Sequence, residues 1–361
     1  MSSQLKDMFN HARYRTLASE LATLSPAFNS SVFLSHTLDG LSSRELMDRM
    51  RRTSTGIAAA LPLSYREQLA VLHELAPRIG HNFIGIFLSD FVAQYGLNDV
   101  DASLNALRFF TRFGSAEFAI RPFLARDLPG TLAVMTDWAR SDDEHVRRLA
   151  SEGSRPRLPW GARLQSLVAD PSPTLPILSS LRADPSLYVR KSVANHLNDI
   201  CKDHPDIVLD LVSTWDRSSP PTAWIIRHAL RTLIKRGHPR ALALLGAGAA
   251  PKLDVTFTIR PARIRLGDTV ALAATLVSTG LRRPQALMVD YIVHYPRASG
   301  ISSKKVFKWK QLTLPAGEVV TLIKRQTIRD FSTRRHHPGK HRVELQINGR
   351  RLAEAVFILS V

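Results

Sequence analysis

The sequence predicts a multidomain chain of α plus β class, with an N-terminal all-α HEAT-like solenoid over residues 1–250 and an all-β immunoglobulin-like sandwich over residues 251–361. Three observations predict this. Apolar residues recur at three- and four-residue spacing through the first part, as in Leu69, Leu72, Leu75 and Phe83, Ile86, Phe87, Phe91. Strict two-residue alternation begins at Leu253-Asp254-Val255-Thr256-Phe257-Thr258-Ile259. Between the two lies the small-residue run Gly246-Ala247-Gly248-Ala249-Ala250-Pro251, a linker by composition.

In the helical part, Pro and Gly mark the joints, at Pro62, Pro77, Gly96, Gly114, Pro129, Pro171, Pro205, Pro220 and Pro239. Four segments set a β-branched aliphatic residue before an arginine: Ile120-Arg121, Val146-Arg147, Val189-Arg190 and Ile226-Arg227. Their spacings are 26, 43 and 37 residues, the latter two close to the length of HEAT-type helix pairs. Stacked pairs form a curved solenoid with a concave face. The repeated arginines either line that face as a cationic row or pair with neighbouring repeats, and the sequence leaves both open.

In the second part, Val270, Leu272, Ala274 and Leu276 share one strand face, and Val289–Val293, Lys305–Lys310, Val319–Ile323, Arg342–Ile347 and Ala353–Ile358 continue the pattern. Seven short strands separated by turn signals such as Gly267-Asp268, Pro315-Ala316-Gly317 and Asn348-Gly349 suggest the immunoglobulin-like sandwich. Cys201 is the one cysteine, so the sandwich lacks an inter-sheet disulfide and a reducing compartment is expected.

The charge is lopsided: 49 Lys and Arg against 31 Asp and Glu give +18. Residues 251–361 hold 20 of the cations and 7 of the anions, a net of +13, whereas residues 1–250 carry only +5. The tail therefore reads as a grip for a polyanion, nucleic acid before an acidic membrane. Met1–Asp7 has no signal-peptide apolar region, and the run Ala241–Ala250 is too short to cross a bilayer. A cytoplasmic monomer without membrane contact is expected.

No zinc-protease helix, phosphate-binding Gly-Lys loop, dinucleotide fingerprint or serine elbow is present. Nothing near Cys201-Lys202-Asp203-His204 completes a metal site, and His336-His337 reads as a solvated loop. Neither metal nor cofactor is expected.

Three strings stand out: Ser115-Ala116-Glu117-Phe118-Ala119-Ile120-Arg121-Pro122-Phe123, Glu152-Gly153-Ser154-Arg155-Pro156-Arg157-Leu158-Pro159-Trp160, and Val189–Ile200 with its Lys191, Asn195, His196 and Asp199. Together with Arg227–Leu233 they closely resemble AlkC-type DNA alkylation-repair glycosylases, relatives of AlkD. The resemblance covers nearly the whole chain, including the immunoglobulin-like tail carried by one branch of that family. It implies a solenoid holding bent double-stranded DNA on its concave face. It also implies cationic N3-alkylated bases as substrates, 3-methyladenine and 3-methylcytosine, cut without flipping the base into a pocket. By the resemblance, Glu117 and Asp199 are the active-site carboxylates and Trp160 the active-site tryptophan.

Spacing alone favours plainer roles: a helix N-terminal carboxylate for Glu117, a solvated helix residue for Asp199, a core cap for Trp160. The resemblance moves all three towards catalysis. Arg155 and Arg157, in a proline-stiffened loop beside Trp160, suit phosphate contacts, with a solvated loop as the other reading. Lys191, Asn195 and Asp199 share a helix face at four-residue spacing. Arg190 and His196 lie on the same helix, Arg190 as a DNA contact or a brace of the solenoid. In the tail, Lys304, Lys308 and Lys310 are expected on one strand face, with Lys305, Phe307 and Trp309 on the other. Arg325, Arg329, Arg334-Arg335-His336-His337 and Lys340-His341-Arg342 extend the basic cluster. The tail is expected to clamp DNA. A nonenzymatic HEAT scaffold is the rival reading; a cell-surface adaptor is disfavoured by the missing signal peptide and the single cysteine.

Overall fold

A computed structural model describes residues 5–280, 283–297, 302–331 and 335–360. Arg334 and Met1–Gln4, used in the sequence reading, lie outside them. Sixteen α-helices precede Pro251 and eight strands follow it among the described residues. Helix starts carry the side-chain caps that the orphan backbone N–H groups require: Asn10 accepts from Arg13 N, Asn29 from Val32 N, Asp143 from His145 N and Val146 N, and Ser186 from Tyr188 N.

Two compact units result, one of Met1–Val208 and Trp215–Ala229, the other of Leu209–Thr214 and Leu230–Val361. In the first, helices stack in pairs and layers. Ser30–Leu38 packs on Leu46–Ala60, and Leu46–Ala60 on Ile86–Tyr95. Glu144–Gly153 packs on Leu187–Ile200, which packs in turn on Pro220–Ala229. Their apolar stripes, Val146, Leu149, Val189, Val193, Leu197, Ile225 and Ile226, are fully or almost fully buried. This is the helical-repeat architecture that the three- and four-residue spacing predicts.

The second unit contains a sandwich of strands β1 (Leu253–Arg260), β2 (Arg263–Arg265), β3 (Thr269–Ser278), β4 (Gln285–Tyr295), β5 (Ser303–Leu314), β6 (Val319–Thr327), β7 (Gly339–Ile347) and β8 (Arg350–Ser360). One sheet has the order β1-β3-β6, the other β2-β8-β7-β4-β5. Val270, Leu272, Ala274 and Leu276 are buried as the alternation requires, in a core with Tyr291, Val293, Leu345 and Phe357. The additional strand, β2, is too short at three residues to show a period of its own; it pairs parallel with β8. A bulge between Val289 and Asp290 changes the expected facing of the lysines on β5. Lys304 and Lys308 lie opposite His294 and Asp290, but Lys310 lies opposite Val289, a core residue.

The helices Arg231–Lys235 and Pro239–Leu244 belong to this second unit, together with the strands. The join is the β7–β8 turn. Asn348 (φ 48°) and Gly349 (φ 74°) both take left-handed backbone, the type I′ geometry that an Asn-Gly hairpin favours. The Asn348 side chain accepts from Met288 N at 2.8 Å and donates to Ala286 O at 3.0 Å and Ala249 O at 3.2 Å. Gly349 meets Gly237 backbone to backbone; a Cβ on Gly349 would stand 2.6 Å from Gly237 Cα. Gly349→Ala therefore combines a clash with an unfavourable φ, and is expected to lower stability by ~2 kcal/mol, read as an earlier denaturant midpoint for this unit.

Candidate active site and nucleic-acid interface

Four segments of the first unit converge. Glu117 lies in a turn, its backbone N–H on Ser115 Oγ, just before the helix Arg121–Arg126. The helix Glu144–Gly153 presents Arg148 and Glu152, one turn apart on one face. The loop after it carries Arg155, Arg157 and Trp160, and the last turn of Leu187–Ile200 carries Asp199.

These side chains form an alternating ladder of charge. Arg148 donates to Glu117 Oε2 and, at 2.6 Å, to Ser115 Oγ, and its other nitrogen lies 3.8 Å from Glu152 Oε1. Arg155 donates to Glu152 Oε1 at 2.5 Å and to Asp199 Oδ2 at 2.7–2.8 Å. Lys202 closes the row on Asp199 Oδ1 at 2.8 Å. Side-chain exposure falls from 14% at Glu117 to 8% at Glu152 and 4% at Asp199. Burial works against the charge of Arg148, yet Glu117 and Glu152 hold its pKa above the ordinary value; Glu152 and Asp199 do the same for Arg155.

A second arginine supports the loop. Arg121, four residues after Glu117, donates to Gly153 O at 3.0 Å, Arg155 O at 2.9 Å and Ala162 O at 2.8 Å. Burial, reinforced by Arg155 and opposed by Asp199, brings its pKa down to about 10, so it stays charged at neutral pH. The loop so pinned holds Trp160 73% exposed with φ 64°. A non-glycine residue there costs ~1–2 kcal/mol, a penalty that the loop's anchors sustain. On a neighbouring helix Tyr188 is also exposed, and Arg148 lies over its ring at 5.1 Å.

The structure corrects several phosphate-contact expectations. Arg155 is buried and committed to Glu152 and Asp199, so it sets carboxylates in place instead of meeting DNA. His196 is fully buried, with Nδ1 donating to Ser151 O at 2.9 Å. Arg157 is held bidentately by Asp203 at 2.8 and 2.9 Å. Arg190 donates to Asp184 O and Pro185 O, and Arg147 to both Asp184 carboxylate oxygens. With Arg121 on its loop carbonyls, the repeated arginines at these three positions are braces, not a cationic row. Lys191 is exposed, and Lys304, Lys308 and Lys310 are exposed in the tail. Arg148 and Glu152 were given no role by the sequence reading; their four-residue spacing on one helix was the available signal.

In the second unit, Lys304 lines a hollow of about 270 Å³ with Lys235, Arg236 and Arg351. Burial raises the pKa of Asp290, opposite Lys308, to about 6, against the pull of Lys308 and Lys235. His336 is buried, not solvated, because its backbone N–H and Nδ1 both reach Asp330. His341 is buried too, stacked on Phe357 at 4.8 Å. No cluster of three or more metal-ligating side chains occurs among the described residues. No helix among them is long and apolar enough to cross a membrane.

The DNA alkylation repair enzyme family matches residues 110–233, the span that holds the whole ladder. The C-terminal Ig-like domain of the uncharacterised protein YhaZ matches residues 254–361. The solved structure of Pseudomonas fluorescens alkylpurine DNA glycosylase AlkC, bound to DNA containing an abasic site analog, is 50% identical, with a TM-score of 0.95 over 99% of this chain and 100% of that one. The chain belongs to the AlkC-type DNA alkylation repair family. The uncharacterized protein YhaZ of Bacillus subtilis (strain 168) is a further full-length relative, 39% identical over 96% of this chain and 97% of its own. In this AlkC-type chain the matched repair segment and the charge ladder coincide.

The buried His196 gives the ladder's floor a pH signature. Burial, with Arg155 adding to it, lowers its pKa to about 4, while the Ser151 carbonyl pulls the other way. An unfolded histidine titrates near ~6.5. Between that pH and about 4 the unfolded chain takes up a proton that the folded chain refuses, so stability falls as pH falls. The loss reaches ~3 kcal/mol and is absent at neutral pH. Denaturant midpoints at pH steps across this window should fall more steeply in the wild type than in His196→Asn, whose amide can still donate to Ser151 O.

Proposed function

We propose that this protein is a DNA glycosylase that hydrolyses the N-glycosidic bond of cationic N3-alkylated bases, 3-methyladenine and 3-methylcytosine, in double-stranded DNA. The observation that carries this reading is the row of three near-buried carboxylates, Glu117, Glu152 and Asp199, paired with guanidinium groups beside an exposed, backbone-strained tryptophan. The likeness to the alkylpurine glycosylase supports it.

An N3-alkylated base already carries a positive charge and departs as a neutral molecule, so no general acid is needed. The deoxyribose becomes cationic in the transition state, as in other glycoside cleavages. Preplaced negative charge and an oriented water are what lower the barrier. One carboxylate ~4 Å from that cation contributes ~4 kcal/mol at an effective dielectric of ~20, on the order of a thousandfold in rate. An undamaged base leaves as an anion through an intrinsically stronger bond, and is expected to remain uncut.

Glu117 is the carboxylate assigned to face the reacting sugar and its water. Arg148 occupies its Oε2, whereas Oε1 has no partner among the described residues. Asp199 has both oxygens occupied, by Arg155 and Lys202, and contributes its field while holding the row in register. Trp160 packs its ring face against the cationic base or the sugar, a contact worth ~0.5–2 kcal/mol. Lys191, Lys304, Lys308 and Lys310 grip phosphates, which makes binding weaken steeply with salt.

The test is release of free 3-methyladenine and 3-methylcytosine from methylated duplex. Glu117→Gln is expected to cut release about a thousandfold with DNA affinity kept. Asp199→Asn is expected to lower release as well. Unchanged release in both variants, or no release above the spontaneous rate by the wild type, overturns the assignment and favours a DNA-binding scaffold. Trp160→Gly should unfold no earlier than wild type, because a 73% exposed ring leaves no cavity and glycine suits a φ of 64°. Its excision should nevertheless fall about tenfold; full excision would remove Trp160 from the mechanism.

A further inference from the structure

The immunoglobulin-like unit has a second hollow on the inner face of its sandwich, unrelated to the carboxylate row. It measures about 360 Å³ and lies at the edge where β5 approaches β6. Phe307 and Phe331 supply ring walls, with Tyr295 and His336 in edge contact at 5.4 Å. Phe307 is itself backed by Tyr291, stacked at 5.1 Å and 12°. Phe331 is 52% exposed, so its ring face is accessible from solvent.

A cation stands beside each of these two rings, Lys305 in the lining and Arg329 next to it. Lys305 Nζ lies 5.1 Å from the Phe307 ring centre, and the Arg329 guanidinium 5.3 Å from that of Phe331. Neither cation has a carboxylate partner among the described residues. Gln326, which lines the hollow, accepts the Tyr291 hydroxyl through Oε1 at 3.0 Å, so its amide N–H groups are left as donors. Flat apolar walls, unpaired cations and an amide donor match a planar ring carrying an anionic group. Duplex DNA cannot use such a site, since its bases are stacked on one another.

We propose that this hollow binds an unpaired nucleotide of single-stranded DNA, its base stacked on Phe331 and Phe307 and its phosphate held by Lys305 and Arg329. Stacking platforms flanked by cations are how single strands are held without regard to sequence. The site would let the tail hold a strand that is locally unpaired while the solenoid works on duplex.

The probe is a short single-stranded oligothymidine, which contains no alkylated base and so tests this site apart from the glycosylase reading. The full chain is titrated by fluorescence anisotropy, in parallel with a blunt unmodified duplex. Phe331→Ala is expected to weaken oligothymidine binding about tenfold and leave duplex binding and base release unchanged. Lys305→Ala should weaken it as well and flatten its salt dependence. Phe331 is exposed, so its loss leaves the fold intact. Equal oligothymidine affinity in wild type and Phe331→Ala overturns the proposal, as does a parallel loss on duplex, which would make Phe331 part of the general grip.

Discussion

Arg155 is the hinge of the repair-matched unit: a buried guanidinium that two carboxylates from different segments must share. A lone buried charge is expensive, and a pair is tolerable only when its geometry is good and its remaining hydrogen-bond capacity is used. Glu152 from one helix and Asp199 from the next satisfy Arg155 from two sides. Arg148 repeats the arrangement between Glu117 and Glu152. Because neither arginine can be left unpaired, three carboxylates stay together in a place that their mutual repulsion would otherwise forbid. The alternating row of carboxylates and cations is thus a consequence of the packing of stacked helices. Under the glycosylase function proposed above, carboxylates fixed in this way would stabilise the transition state without reorganisation at the moment of reaction.

The two units divide the electrostatics. In the first, most cations singled out by the sequence are spent internally, on carboxylates or on loop carbonyls. The arginines that mark the repeats hold turns and neighbours: Arg147 reaches Asp184, Arg190 caps the carbonyls before its own helix, and Arg121 clasps the Trp160 loop. In the second, lysines and arginines on β5 and β6 stand in solvent with few anions to meet them. Most of the unneutralised positive charge therefore resides with the strands, and the helical unit carries local, paired charge.

The architecture was legible because two periods, three-to-four and two, are stamped on the chain over long runs. Leu272 and Leu276 fell on the buried face for that reason, and Asn348-Gly349 made the hairpin it signals. Site residues were legible as a set through the resemblance, but their partners were not. Nothing local in Arg155-Pro156-Arg157 distinguishes a surface phosphate contact from a guanidinium folded inward on Asp199, 44 residues away. That choice is made by tertiary packing, as it is for His196. Likewise the bulge at Val289 and Asp290, which turns Lys310 out of line with Lys308, leaves no mark on the alternation of β5. Arg148 and Glu152 were readable by their helical spacing, yet one turn of opposite charge is common on exposed helices and carries little weight alone.

The contact of Gly237 with Gly349 bears on how such a tail can be inherited. Two backbones touch there with no room for a side chain on either, and Asn348 adds a bond to Ala249 O. The sheet therefore rests on a helical plinth that the chain lays down before the first strand begins. A recombination event that joined the strands to a new partner at Pro251 would leave this seat behind. A transplant that carries the helices from Leu230 onward would bring its own foundation, so the movable module of this protein is longer than its β-sandwich.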